Sequence, residues 1–209
     1  MKKSLLQSCR LYVIVDRAAI GRRNPVRVAE AAVRGGADVI QWRDKAAPDG
    51  EFLAVARAMG KIVRKRALFV VNDRVAVALR VGADGVHVGH EDLPVSDLRA
   101  LVGRRLLIGR STHSLKEARQ AVADGADYIG VGPVFATPTK PGYRAIGLKR
   151  VRGVAPAIRI PWFAIGGIDL RNLPLVLSAG AARVAVVRAV VAASDPEAAA
   201  RVFKGLLHS

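Results

Sequence analysis

The chain has 209 residues, is 51% hydrophobic but only 5% aromatic, carries one cysteine, Cys9, and has a formal net charge of +17. This excludes a disulfide scaffold and suits one α/β domain whose core is built from Val, Ala, Leu and Ile. No apolar stretch is long enough to span a bilayer, residues 1–8 are too short and too polar for a signal peptide, and the lone cysteine points to a cytoplasmic setting.

The first strand is expected at Leu11 to Val15, followed by a helix from Pro25 to Arg34. Pro25 sits at a first-turn position, where a missing N–H is harmless. The second strand holds Val39, Ile40 and Gln41, and its helix runs from Gly50 to Arg64. Then follow a strand at Leu68 to Val71 with a helix from Arg74 to Val81, and a strand at Gly85 to Val88 with a helix from Val95 to Val102. The fifth strand is expected at Leu106 to Gly109 with a helix from Leu115 to Ala123, and the sixth at Tyr128 to Val131 with a helix from Leu148 to Ala155. The seventh spans Trp162 to Ile165 with a helix from Arg171 to Ser178, and the eighth Arg183 to Val187 with a helix from Pro196 to Leu207. The longest irregular stretch, Phe135 to Ile146, is a candidate active-site loop.

A loose repeat underlies this order. Gly36-Ala37-Asp38, Gly82-Ala83-Asp84 and Gly125-Ala126-Asp127 each follow an Ala-rich helical pattern and precede a short apolar run, with a weaker copy at Gly180-Ala181-Ala182. A glycine there ends a helix in the left-handed conformation, and the run after it is a buried strand. Eight βα units predict a single (β/α)₈ TIM barrel over residues 1–209; an open doubly wound sheet is the runner-up.

In such a barrel, chemistry sits at the C-terminal strand ends. On the second strand Gln41, Arg43 and Lys45 share one face, alternating with Trp42 and Asp44. Two cations and an amide there suit an oxyanion-rich group, against a reading as a polar core plug. Asn72 and Asp73 follow the third strand, and His90, Glu91 and Asp92 the fourth. Hard oxygen ligands from neighbouring strands fit Mg²⁺, although Asp73 could simply cap a helix. Arg110-Ser111-Thr112-His113-Ser114 follows the fifth strand; Ser111 could orient a substrate, while Ser114 and Glu117 read as a capping box. His113 is either a base or structural. After the sixth strand, Thr137, Pro138, Thr139 and Lys140 form an anion-contacting lid or a plain loop. Gly166-Gly167 after the seventh, with Val187 and Arg188 after the eighth, suits a phosphate site of backbone N–H groups. The positive charge signals either an anionic partner or an arginine-rich solvated surface; no zinc spacing, helix-turn-helix pattern or aromatic platform supports a nucleic-acid binder.

Taken in order, Gln41-Trp42-Arg43-Asp44-Lys45, Asn72-Asp73, His87-Val88-Gly89-His90-Glu91-Asp92, Ser111-Thr112-His113, Gly130-Val131-Gly132-Pro133, Thr137-Pro138-Thr139-Lys140 and Ile165-Gly166-Gly167 resemble the thiamine-phosphate synthase family. The resemblance implies a transferase that joins a pyrimidine methyl diphosphate to a thiazole phosphate and releases pyrophosphate. It implies that Gln41, Arg43 and Lys45, with the backbone of Trp42 and Asp44, hold the diphosphate substrate. Asn72, Ser111 and Lys140 would contact the pyrimidine, and Asp73 and Asp92 would ligate one Mg²⁺ per subunit. Thr137 and Thr139, beside Pro138, would contact the thiazole phosphate, cradled by backbone at Gly167, Val187 and Arg188. Arg43, Lys45, Lys140 and Ser111 would carry the catalysis. The implied partners are two small phosphorylated molecules, with no nucleic acid and no membrane; a homo-oligomer is left open. Arg188 stands where a small polar residue is common and His90 where Gln is frequent, and a helix before the first strand should be short or missing. The rival is a thiazole tautomerase on the same scaffold, which lacks the paired acids and carries a His near the place of Pro133.

Overall fold

The computed structural model describes residues 2–64, 66–89, 92–139 and 142–207. It begins with α1 (Lys2–Ser8), β1 (Leu11–Asp16), a short α2 (Arg17–Ile20) and α3 (Pro25–Arg34). Then come β2 (Val39–Arg43), α4 (Asp49–Val63), β3 (Leu68–Asn72), α5 (Val75–Arg80), β4 (Gly85–Val88) and α6 (Val95–Val102). The second half adds β5 (Leu107–Thr112), α7 (Leu115–Ala123), β6 (Tyr128–Val131), α8 (Gly147–Val154), β7 (Trp162–Ile165) and α9 (Leu173–Ser178). The chain ends with β8 (Val184–Val186), α10 (Arg188–Val191) and α11 (Pro196–Leu206). All eight strands pair in parallel and β8 returns to β1, so the sheet is a closed barrel rather than an open one.

Period-two alternation sorts the strand side chains into two cores. Val13, Val15, Ile40, Trp42, Phe69, Val71, Val86 and Ile129 pack outward against the helices. Tyr12, Ile14, Val39, Leu68, Val70, Leu107, Tyr128, Phe163 and Ala185 fill the barrel interior. β5 runs three residues beyond the expected end at Gly109, because Arg110, Ser111 and Thr112 continue the ladder against Ile129, Gly130 and Val131. These residues belong to a strand, not to a loop. The apolar run stops early because inner-face positions near the barrel mouth are polar.

The helix before β1 is short, as expected, at seven residues. It covers the barrel end opposite the mouth. Leu6 enters the inner core, while Lys2 reaches the Ala83 carbonyl at 3.3 Å and Lys3 pairs with Asp127 at 2.7 Å. Cys9 lies beside it, and burial, aided by the Asp38 carboxylate, pushes its thiol up to about 12. It therefore packs as a small apolar group.

The same end explains the Gly-Ala-Asp repeat. Gly36, Gly82 and Gly125 take positive φ of 96°, 63° and 93°, turning each helix into the next strand. Each aspartate then accepts an N–H from the preceding strand's start: Asp38 from Leu11 at 2.9 Å, Asp84 from Phe69 at 2.9 Å and Asp127 from Ile108 at 2.8 Å. Asp127 also holds Arg99 at 2.5 Å, with its side chain only 3% exposed. Asp127→Ala should lower the unfolding free energy by about 2 kcal/mol, because the buried Ile108 N–H loses its acceptor and the half-buried Arg99 guanidinium loses its carboxylate while keeping carbonyl partners. Urea denaturation measures this, and an unshifted midpoint would contradict it.

Candidate active site

The C-terminal strand ends ring a cavity of about 380 Å³. Of the residues expected there, Gln41, Arg43, Asn72, Ser111, Thr137, Pro138, Thr139, Gly167, Val187 and Arg188 line it. Lys140, with His90 and Glu91, lies outside the described residues.

Arg43 is held by Asp16, a buried residue at the end of β1 whose other carboxylate oxygen caps α2 through the Ala19 N–H at 3.2 Å. The guanidinium thus enters the cavity wall already oriented. Asp16 was missed in the sequence because the expected first strand ends at Val15 and a single Asp-Arg step after it matches no motif. The side chains of Trp42 and Asp44 do not face the cavity. Trp42 is fully buried against Phe52 on α4, and Asp44 accepts the N–H groups of Ala46 and Ala47, both at 3.1 Å, which shapes the turn after β2. Only backbone is available at these two positions.

Beside the cavity, Lys45, Asp73 and Asp92 form one cluster. Lys45 donates to Asp73 at 2.5 Å, and Asp73 and Asp92 are close enough that each shifts the other's carboxyl. Burial raises the Asp73 carboxyl and the facing Asp92 adds to this, while Lys45 offsets part of it. For Asp92, burial pushes upward but is outweighed by the Gly89 N–H at 2.6 Å, by Asp73, and by Lys45 and Arg110, so its carboxyl sits below the ordinary range. Asp73 does not cap α5: that helix starts after Arg74 without a side-chain cap, and Asp73 takes a left-handed φ of 58°. A non-glycine residue there is strained, and such strain clusters at functional sites. Among the described residues no group of three or more His, Cys, Asp or Glu side chains gathers. Two carboxylates fit Mg²⁺, which leaves further positions to phosphate and water.

Ser114 accepts the Glu117 N–H at 3.2 Å, as a capping residue should, but Glu117 reaches back to the His113 N–H at 2.9 Å instead of to that of Ser114. His113 lines the cavity, its Nδ1–H donates to the Gly132 carbonyl, and its ring lies 5.2 Å from that of Tyr143. The Phe135–Ile146 loop is pinned at its base. Val134 and Phe135 donate to the carbonyls of Ile165 and Gly166 at 2.8 and 3.0 Å, and Ile146 donates to Pro133 at 2.8 Å. A Cβ on Gly167 would lie 2.6 Å from the Ala136 carbonyl oxygen, so the glycine is required for this loop to sit down.

A row of polar groups inside the barrel was not foreseen. Gln41 donates to Tyr12 at 2.8 Å, the Tyr12 and Tyr128 hydroxyls are 3.0 Å apart, Tyr128 lies 3.3 Å from His87 Nδ1, and His87 Nε2 is 3.0 Å from Ser111 Oγ. The available signal was parity: Tyr12 and Tyr128 occupy inward positions of their strands.

A closed parallel barrel with its polar residues gathered at the C-terminal strand ends is the arrangement that barrel enzymes use. The chain belongs to the thiamine monophosphate synthase family, whose model matches residues 11–190. It is 51% identical over 195 residues to a thiamine-phosphate synthase of Gloeobacter violaceus, covering 93% of this chain and 56% of that protein. The chain thus spans about half the length of the first curated relatives it matches, 55% in the case of Thermosynechococcus vestitus. The thiamine-phosphate synthase of Chloroflexus aurantiacus is 50% identical over 200 residues, covering 95% of this chain and 92% of that protein. Among solved structures, thiamine phosphate pyrophosphorylase from Pyrococcus furiosus superposes with a TM-score of 0.89 at 39% identity, covering 98% of each chain. A 3-hexulose-6-phosphate synthase, with a TM-score of 0.70 and 20% identity over 94% of this chain and 98% of its own, shares the fold.

Proposed function

We propose that the chain is a thiamine-phosphate synthase. It would couple 4-amino-2-methyl-5-(diphosphomethyl)pyrimidine with 4-methyl-5-(2-phosphoethyl)thiazole, or its carboxylated form, to give thiamine phosphate and pyrophosphate. The observation that carries this reading is the Lys45–Asp73–Asp92 cluster standing next to a cavity that Arg43 and Asn72 line. That cluster serves a departing diphosphate; the rival tautomerase has no use for it.

The reaction is read as dissociative. The amino group pushes electron density into the pyrimidine ring, and the methylene C–O bond breaks with its electron pair leaving on the diphosphate. The lone pair of the thiazole nitrogen then forms the C–N bond. Asp73 and Asp92 would hold one Mg²⁺, which when bound supplies positive charge against the diphosphate. Arg43, fixed by Asp16, and Lys45 add charge to the leaving oxygens, and the family resemblance assigns Lys140 the same role. Ser111 and Gln41 orient the pyrimidine, with Asn72 beside them. Thr137 and Thr139, with the backbone of Gly167, Val187 and Arg188, receive the thiazole phosphate. The first N–H groups of α10 have no acceptor within that helix, which suits an anion there. Little acid–base chemistry is needed, so the cavity's task is to hold the cation next to its nucleophile and away from water.

The deciding experiment mixes both substrates with Mg²⁺ and follows pyrophosphate. Release that requires the thiazole phosphate is expected. Isomerisation of a thiazole without any pyrimidine, and no pyrophosphate, would instead favour the tautomerase.

A further inference from the structure

The polar row inside the barrel has a direction. The Tyr12 and Tyr128 hydroxyls are fully buried, and burial pushes both well above the ordinary tyrosine range, so each keeps its single proton. A hydroxyl with one proton donates once. Gln41 Nε2 donates to Tyr12, so the Tyr12 proton goes on to Tyr128, and the Tyr128 proton to His87 Nδ1. A neutral imidazole accepting at Nδ1 carries its proton on Nε2, which donates to Ser111 Oγ. The Ser111 proton is then free to point into the cavity. At the other end, the Gln41 amide has its nitrogen committed inward and its oxygen left for the cavity.

We propose that Tyr12, Tyr128 and His87 are positioning residues, forming a one-way relay that presents Gln41 as an acceptor and Ser111 as a donor, and thereby selects an aminopyrimidine over an oxopyrimidine. The inference rests on the synthase reading for its ligand and deepens it. An amino group facing Gln41 Oε1 is a donor meeting an acceptor. An oxo group there sets two acceptors against each other, and a buried site rejects such a mismatch strongly. The relay matters because an isolated glutamine amide can turn over and offer its NH₂ instead. It is held only because Tyr12 has no proton left to give it, and Tyr12 has none because Tyr128 takes it. Removing the Tyr128 hydroxyl frees the Tyr12 proton for Gln41 Oε1 by changing a residue that does not itself line the cavity, although it also takes a partner from His87, which does.

The test compares binding of the 4-amino and 4-oxo pyrimidine methyl diphosphates by calorimetry, without thiazole phosphate. In Tyr128→Phe the preference for the amino compound should fall about tenfold, the worth of a single hydrogen bond to a turned amide. Tyr12→Phe should give the same loss, and answers the question if Tyr128→Phe does not fold. An unchanged preference in the folded variants overturns the proposal. Independently, ¹⁵N shifts of His87 in the ligand-free protein should show the Nε2–H tautomer; Nδ1–H would reverse the relay and overturn it. Binding with turnover but no amino preference in the wild type overturns the selection alone. No binding of either pyrimidine overturns the selection and the synthase reading together, while the tautomer still decides the relay's direction.

Discussion

Asp92→Asn should lower pyrophosphate release about 10³-fold and lower the melting temperature only slightly. The carboxamide keeps an oxygen for the Gly89 N–H, which now donates to Asp92 at 2.6 Å, so the loop after β4 retains its anchor. What goes is one negative charge beside Asp73, whose carboxyl is buried and already raised by the neighbouring acid. Without metal that change eases Asp73 but forfeits part of what the Gly89 N–H, Lys45 and Arg110 give the Asp92 carboxylate, so stability should fall only slightly. At the proposed Mg²⁺ site the substitution would remove one of the two carboxylate ligands. Steady-state kinetics over a Mg²⁺ titration, with isothermal titration of the metal, reads both effects. Turnover within twofold of wild type would remove Asp92 from the reaction.

Gly109→Ala should cost about 3 kcal/mol, the upper end for an overpacked core, and should also depress turnover. A Cβ at this inward position of β5 would stand 2.1 Å from Tyr128 Cζ and 2.5 Å from His87 Nδ1. Tyr128 cannot retreat, because it is 1% exposed and packed edge-on against Phe163 at 5.9 Å between centroids. The single methyl therefore separates Tyr128 from His87. Gly153→Ala in α8 is the control: nothing lies within 4 Å of its added Cβ, so both stability and turnover should hold. Chemical denaturation and kinetics of the two variants test this. A stable, active Gly109→Ala would mean that the inner layer is far more yielding than its distances suggest.

The strand–helix alternation was legible because parallel strands with helices outside are apolar runs closed by a glycine turn. The helices Pro25–Arg34, Val95–Val102 and Leu115–Ala123 fall where the sequence puts them. Their ends carry local chemistry: Asn24 and Ser114 as caps, proline in a first turn. The single-turn helices α2 and α10 were not legible, since four residues give no periodicity. At the mouth, polar residues following apolar strands marked Arg43, Asn72, Ser111 and the threonines. The Asp16–Arg43 pair, the left-handed Asp73 and the Tyr12–Tyr128 contact depend on register between strands distant in sequence, 116 residues apart in the last case. No local pattern records such register.

The Gly-Ala-Asp turns divide labour along the barrel axis. At the α1 end, main-chain amides, aspartates and basic side chains lock successive strands together. Reactive groups cluster a full strand length away. A lineage could therefore rework what this pocket accepts, loop by loop, while inheriting its scaffold untouched.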